Sequence, residues 1–503
     1  MRGFRFVAAT AALVIAVSFV TRADDTAQSQ SAEIQLQLGG MFFAEGKYQE
    51  SLEAYRNALK VALPDQMRQA RSGVIQASLR VAEFETAREE AEQLIKADPR
   101  GAESLALYAD ALWASGLFEQ SEVKYREALA VTPGLARGLH GVARSLAARG
   151  QYREALSQAQ AALRLAPRDL EIHHTIGTIY ERLHNYEEAA AAYTNYVNLL
   201  PNKDNSNKAN WSRAEIRFLR SFGQRVPFEV DPGDDVKLYS VPFKVVNEKI
   251  IVRAKVNGAL AQDFVVDTGS ENTVITRPTA QRLGILPVTQ TLSAGVGDVG
   301  LRGLQLGRVD SLEFGDLKIR NVPCLIKNPP LRESPIRETE ALSPLSLGYS
   351  MTIDYKTQII TFGKHIPLES SDYELPLRLY RLATVQGTID GKRQATFIVD
   401  TGGQVISISQ ASVDAVGRNN DRKIALRVFG TSGWDRDAFL LTGVNLAFDA
   451  IRYPNFSTVV LNLDTPSALL GFQVGGIVGH KFLSNYRVGI DLERSMLRLK
   501  KLS

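Results

Sequence analysis

From residue 32 to residue 201, apolar and small positions recur with helical spacing, and the pattern itself repeats. Pro99, Pro133, Pro167 and Pro201 stand at a constant interval of 34 residues. Counting back from each proline, the same offsets carry small or aromatic residues. They are Ala109, Leu112, Ser121, Tyr125 and Ala128 before Pro133, and Ala143, Leu146, Ala155, Ala159 and Ala162 before Pro167. Gly177, Tyr180, Ala189, Tyr193 and Tyr196 fill them before Pro201. This predicts stacked helix pairs in which small residues allow close approach, an aromatic fills the gap, and the proline closes the second helix. Two looser units, with Gly39, Ser51, Tyr55 and Ala58 before Pro64 and Ala87, Ala91 and Leu94 before Pro99, bring the total to five. A polar run follows Pro201. Then Trp211, Ile216, Phe218, Leu219 and Phe222 mark an amphipathic helix that would cap the stack.

Past a linker around Pro227 to Asp235, the pattern changes to short β-rich runs broken by glycine. One unit is written twice. KIIVRAKVNGALAQDFVVDTGSENTVI and LATVQGTIDGKRQATFIVDTGGQVISI each give a strand, a two-residue hairpin signal, a second strand and Asp-Thr-Gly. The hairpin signals, Asn257-Gly258 and Asp390-Gly391, suit turns that need positive φ at both central positions. The copies also end alike, pairing Tyr349 and Asp354 of the first with Tyr486 and Asp491 of the second.

The period of the first region resembles the tetratricopeptide repeat, which implies a concave face that binds a peptide or another protein. Over roughly 238–366 and 375–503, the second region resembles aspartic proteases of the retropepsin type. The motifs that carry this are apolar residues leading into Asp-Thr-Gly, a glycine-rich stretch, and an apolar-apolar-Gly triplet. The expected fold is therefore multidomain: an all-α solenoid followed by two all-β acid-protease lobes forming a pseudo-dimer. The expected boundaries are 1–23 for an export signal, 32–222 for the solenoid with its capping helix, 223–236 for a linker, 237–368 for lobe 1 and 372–503 for lobe 2. The lobes would pair within one chain, or each with a lobe of a second copy.

The resemblance implies roles for particular residues. Asp267 and Asp400 would share a proton and activate a water between them. Thr268 and Thr401 would tie the two loops together, and Gly269 and Gly402 would let those loops turn tightly. Two glycine-rich stretches, Ser293 to Gly303 with Gly295 and Gly297, and VFGTSGWDRDAF with Gly430 and Trp434, would be flaps touching the substrate. There are departures. Ile477-Val478-Gly479 supplies the triplet in the second copy, whereas the first has Glu340-Ala341-Leu342-Ser343, so the chain is expected to pass less closely behind Asp267 and distort that half-site. Gly403 stands where Ser or Ala is usual. Two functions follow as expectations: an exported aspartic endopeptidase whose repeats recruit a protein, or an inactive protease-like scaffold holding a peptide in the cell envelope.

Composition narrows the rest. The 503 residues are 45% hydrophobic and 23% charged with a net charge of +4, which argues against a nucleic-acid binder working through bulk charge. The single cysteine, Cys324, permits no intrachain disulfide and no multi-cysteine metal site, and its run VPCLI reads as core. No metal or cofactor is expected. Arg2 and Arg5, the apolar run Phe6 to Val20 and Thr21-Arg22-Ala23 have the layout of a secretory signal. Export to a bacterial periplasm or the exterior is the expected location, with an uncleaved anchor as the alternative. His173 and His174 are adjacent on a helix and point apart, and His480 reads as core or surface. Gly295 to Gly300 spell G-x-G-x-x-G with no helix following, which argues against a dinucleotide site. Ser432 lacks the flanking glycine of a nucleophile elbow.

Overall fold

The computed structural model describes residues 28–204, 206–299, 302–327 and 339–502, so the export signal expected at 1–23 lies outside the described residues. Residues 28–44 (α1) pair with Tyr48–Val61 (α2), and Pro64–Arg80 (α3) with Phe84–Ala97 (α4). Ala102–Ala114 (α5) pairs with Phe118–Val131 (α6), Ala136–Ala148 (α7) with Tyr152–Leu165 (α8), and Leu170–Arg182 (α9) with Tyr186–Leu199 (α10). α4, α6, α8 and α10 each stop just ahead of the recurring proline. The small positions matter as the sequence suggests: a methyl group at Gly73 would overlap the Tyr55 ring, and one at Gly177 the Tyr193 ring. Among the described residues no helix is long and apolar enough to cross a membrane.

The stack curls until its ends meet. Asn202 Nδ2 donates to the Glu45 carbonyl at 2.7 Å, and Arg80 of α3 forms an ion pair with Glu171 of α9. Asn207–Arg220 (α11) caps the last pair, where Phe218, Leu219 and Phe222 pack with Tyr186. The same cluster takes in Leu306 of the first β lobe, so the cap also joins the repeats to that lobe.

The duplicated sequence folds as a duplicated sheet. Numbered in chain order, lobe 1 runs β2 (Lys244–Val246), β3 (Lys249–Val256), β4 (Gln262–Val266), β9 (Glu340–Leu342), β5 (Thr273–Ile275), β8 (Leu317–Ile326), β7 (Arg302–Phe314) and β6 (Pro287–Ser293). Lobe 2 repeats that order as β13 (Arg378–Tyr380), β14 (Leu382–Ile389), β15 (Arg393–Val399), β22 (Gly476–Val478), β16 (Ile406–Ser409), β21 (Ile451–Leu461), β20 (Phe439–Phe448) and β17 (Ile424–Ala425). The hairpin signals sit where expected, with φ of 52° at Asn257 and 71° at Gly258, and 51° at Asp390 and 65° at Gly391. Each is followed by the second strand of its copy.

The matching ends of the copies join the lobes within one chain. β1 (Tyr239–Pro242), β11 (Ile359–Gly363), β10 (Ser350–Asp354), β23 (Tyr486–Asp491), β24 (Met496–Lys501) and β12 (Tyr373–Pro376) form one six-stranded sheet. β10 and β23 meet at its centre, with Met351 opposite Ile490 and Ile353 opposite Val488. Cys324 is fully buried in lobe 1, and burial pushes its thiol up to about 12.

A second joint holds the repeats against lobe 2. Trp113, Phe118 and Ala148 share an apolar cluster with Ile398, Leu470 and Phe472. Phe118 meets Trp113 edge-on at 4.7 Å and Phe472 at 5.2 Å. The carbonyl of Gly116 accepts from Thr396 Oγ1 at 2.6 Å and Gln386 Nε2 at 2.7 Å. Arg378 pairs with Glu119 at 2.9 Å.

Candidate active site

β4 ends at Val266 and β15 at Val399, so Asp267 and Asp400 head matched loops at the junction of the lobes. Each loop is fixed from behind by the parallel strand beside it: Asp267 N–H donates to the Leu342 carbonyl at 2.9 Å, and Asp400 N–H to the Val478 carbonyl at 3.0 Å. The two threonines then lock the loops together. Thr268 Oγ1 donates to the Val399 carbonyl at 2.6 Å and accepts from Thr401 N–H at 3.0 Å. Thr401 Oγ1 donates to the Val266 carbonyl at 2.7 Å and accepts from Thr268 N–H at 3.1 Å. All four groups are buried, so each bond replaces water that cannot enter.

The glycines serve close approach. A methyl group at Gly269 would strike the Asp400 carboxyl, and one at Gly402 the Asp267 carboxyl, so each loop leaves room for the other's acid. The two carboxyls face each other closely enough that each alters the other's hold on a proton. Burial, then the facing Asp400 charge, raises Asp267 from the ordinary 3.8 to about 7. Asp400 is also raised, by burial, but less freely: Gly402 and Gly403 donate N–H to its Oδ1 at 2.8 and 2.9 Å, whereas Asp267 accepts from Gly269 at 2.9 Å. Backbone donors favour the ionised form, so the shared proton rests on the Asp267 side. The departure at Gly403 suits the site, because a methyl group there would lie 2.8 Å from the Asp400 carboxyl.

The expected distortion of the first half-site is not what the structure shows. Ser343 occupies the place of Gly479, yet Val266 stays in register with Leu342 as Val399 does with Val478. A methyl group at Gly479 would press on the Gly403 and Val405 carbonyls. In the first lobe, Ser343 Oγ instead donates to the Ser270 carbonyl at 2.6 Å, turning the crowding into a hydrogen bond. Converting Ser343 to Ala leaves that carbonyl without its donor and is expected to cost about 1–2 kcal/mol in a urea melt.

Two hairpins cross above the acids. One joins β6 to β7, and the other joins Val428–Gly430 (β18) to Gly433–Asp435 (β19). Gly295 N–H donates to Ser432 Oγ at 3.1 Å, Ser432 N–H to the Val296 carbonyl at 2.9 Å, and Asp298 N–H to the Trp434 carbonyl at 2.9 Å. Of the four flap residues singled out from the sequence, Gly295 and Gly430 line the cavity over the acids. Gly297 and Trp434 do not line it. Gly297 has φ of 130° against the backbone of Ser432, and the Trp434 ring packs edge-on against Phe429 at 5.2 Å. Val296, Phe429, Thr431 and Ser432 line the cavity as well, in unbroken runs with Gly295 and Gly430 on hairpins whose crossing no local signal encodes.

Glu271 and Arg381 also escaped the sequence reading. They form a two-pronged ion pair, Nε to Oε2 at 3.0 Å and Nη2 to Oε1 at 2.8 Å, tying the Asp267 loop to lobe 2. Arg381 occupies the β13–β14 turn with φ of 62°, a conformation a non-glycine residue adopts at a cost. Its sequence surroundings, RLYRLA, carry no turn signal. His480 is buried behind the Asp400 loop, its N–H donating to the Gly403 carbonyl at 2.8 Å. His173 turns to the Pro167 carbonyl, while His174 stacks on Trp211.

Comparison with known proteins agrees with this architecture. The aspartyl protease model matches twice, at 252–351 and 385–474, and the tetratricopeptide repeat model at 75–136 and 143–204. No curated protein matches the chain. Among solved structures, a thermophilic repeat protein of Thermus thermophilus is 22% identical over 34% of this chain and 92% of its own, with a TM-score of 0.30. A repeat protein of Parabacteroides merdae is 18% identical over 38% of this chain and 72% of its own, with a TM-score of 0.30. Pseudomonas aeruginosa pilF is 16% identical over 39% of this chain and 85% of its own, with a TM-score of 0.29. The chain thus joins a region of tetratricopeptide repeats to a tandem pair of aspartyl-protease domains.

Proposed function

We propose that this protein is an exported aspartic endopeptidase. The observation that carries the reading is the pair of buried carboxyls, Asp267 and Asp400, brought face to face by matched loops, each loop's glycine against the other's acid, beneath a two-hairpin cover. Ionised Asp400 takes a proton from a water lying between the acids, and the hydroxide attacks the scissile carbonyl. Asp267 donates its proton to the oxygen on which charge develops. The resulting tetrahedral centre collapses as the amide nitrogen receives the proton held by Asp400 and one hydroxyl returns its proton to Asp267, leaving a carboxylic acid, an amine and the dyad in its starting state. The hairpins exclude bulk water and strengthen each electrostatic contact inside. Removal of 1–23 on export, and recruitment of a protein by the repeats, belong to the same proposal.

A statine-type peptide, whose hydroxyl takes the position of the attacking water, tests this reading. It should block cleavage of an unfolded polypeptide and raise the melting temperature of the wild-type chain. Cleavage that persists at saturating inhibitor would refute the proposed chemistry.

The dyad also sets a pH signature. A carboxyl raised on folding holds its proton more tightly in the native state, so its stabilising contribution is complete below the unfolded value. For Asp267 it is lost as pH rises from 3.8 to about 7, and the loss ends there. The melting-temperature advantage of Asp267→Asn over wild type should therefore grow across that window and level off above it. A constant difference would contradict the shared proton.

A further inference from the structure

The cavity over Asp267 and Asp400 does not end at the protease lobes. It is a single space of about 1270 Å³ that runs on between the lobes and the inner face of the repeats. Thr178, Glu181, Tyr193, Tyr196, Trp211 and Glu215, from α9, α10 and α11, line it together with the two acids and the hairpins. This exceeds the roughly 300–1,000 Å³ typical of a small-molecule pocket. The repeat wall is rich in aromatic rings, and His174 stacks beside Trp211 at 6.0 Å and meets Tyr196 edge-on at 5.1 Å. Glu215 of α11 lies close enough to Glu181 and to the Glu271–Arg381 pair to feel their charges, so the wall faces the Asp267 loop across the cavity. Two joints hold it there, through the Trp113 cluster on lobe 2 and the Phe218 cluster on lobe 1.

We infer that the inner face of α9–α11 is a wall of the substrate cleft, so that one extended, unfolded polypeptide with apolar side chains lies at once across the acids and along the repeats. On this account the repeats do not recruit a folded partner at a remote surface. They hold the continuation of the same chain that is being cut. The inference rests on the peptidase reading of Asp267 and Asp400, but its test is a binding measurement that does not require turnover.

In the full chain carrying Asp400→Asn, fluorescence anisotropy is measured for a short apolar peptide and for versions lengthened at either end. Lengthening at one end should tighten binding, and adding Trp211→Ala should cut the ratio of long- to short-peptide affinity on the order of tenfold, the worth of one buried aromatic. A photoreactive group at that far end should label α9, α10 or α11, a readout independent of how well the Trp211 variant folds. Equal affinity for all lengths, or label confined to the β lobes, would overturn the inference. Length-dependent binding without cleavage by wild type would overturn the peptidase reading and leave the wall standing. Cleavage without length dependence would do the reverse.

Discussion

Replacing Asp400 with Asn is expected to lower the turnover of an unfolded polypeptide by about 10⁴-fold, the upper range for loss of a positioned acid or base. Asn keeps the shape of the side chain and an oxygen for the Gly402 and Gly403 N–H groups, which donate at 2.8 and 2.9 Å. It cannot take a proton from water. Asp267→Asn removes the acid instead and should be as damaging, because each carboxyl needs the complementary state of the other. The double variant should be little worse than either single one, since the two act as one unit. Initial rates, with a melting curve for each variant, check this. Losses that multiply in the double variant would mean that the acids act independently.

The second large effect lies far from the chemistry. Trp113→Ala should cost about 3–5 kcal/mol, the usual toll for emptying a buried aromatic site. Trp113 is 2% exposed and touches Phe118 at 4.7 Å and Tyr380 at 5.3 Å, with the Arg144 guanidinium over its ring at 4.8 Å. Tyr380 belongs to the β13–β14 hairpin that also carries Arg381, the partner of Glu271 on the Asp267 loop. Loosening this joint should therefore weaken activity as well as lower the urea midpoint. Denaturation followed by intrinsic fluorescence and by activity should show both falling together. A variant with full stability would show that the repeats and lobe 2 do not depend on each other.

Some of this was readable in the chain because the signals are local and repeated. The 34-residue proline interval and the small residue at Gly177 facing Tyr193 specify a helix pair within one unit. Asn257-Gly258 and Asp390-Gly391 each set a turn, and their equal spacing to Asp-Thr-Gly exposed the duplication. What escaped was set by contacts distant in sequence. Thr396 reaches the Gly116 carbonyl across 280 residues, and each fits its own element without the other. Trp434 looked like a substrate contact because it is aromatic within a glycine-rich run, but its ring packs against Phe429. The serine at 343 read as a defect because a missing glycine is visible in sequence, whereas the hydrogen bond to Ser270 that accommodates it is not.

The central claim is that Asp267 and Asp400, sharing one proton, hydrolyse peptide bonds. The most direct measurement is the pH dependence of cleavage of an unfolded polypeptide by the full chain, with the new termini mapped by mass spectrometry. The account predicts a bell whose alkaline limb falls through about 7, where Asp267 gives up its proton. Its acid limb should lie above the ordinary carboxylate value of 3.8, because Asp400 is raised as well. A rate that keeps rising with pH above neutrality, or no new termini at any pH at which the chain stays folded, would contradict it.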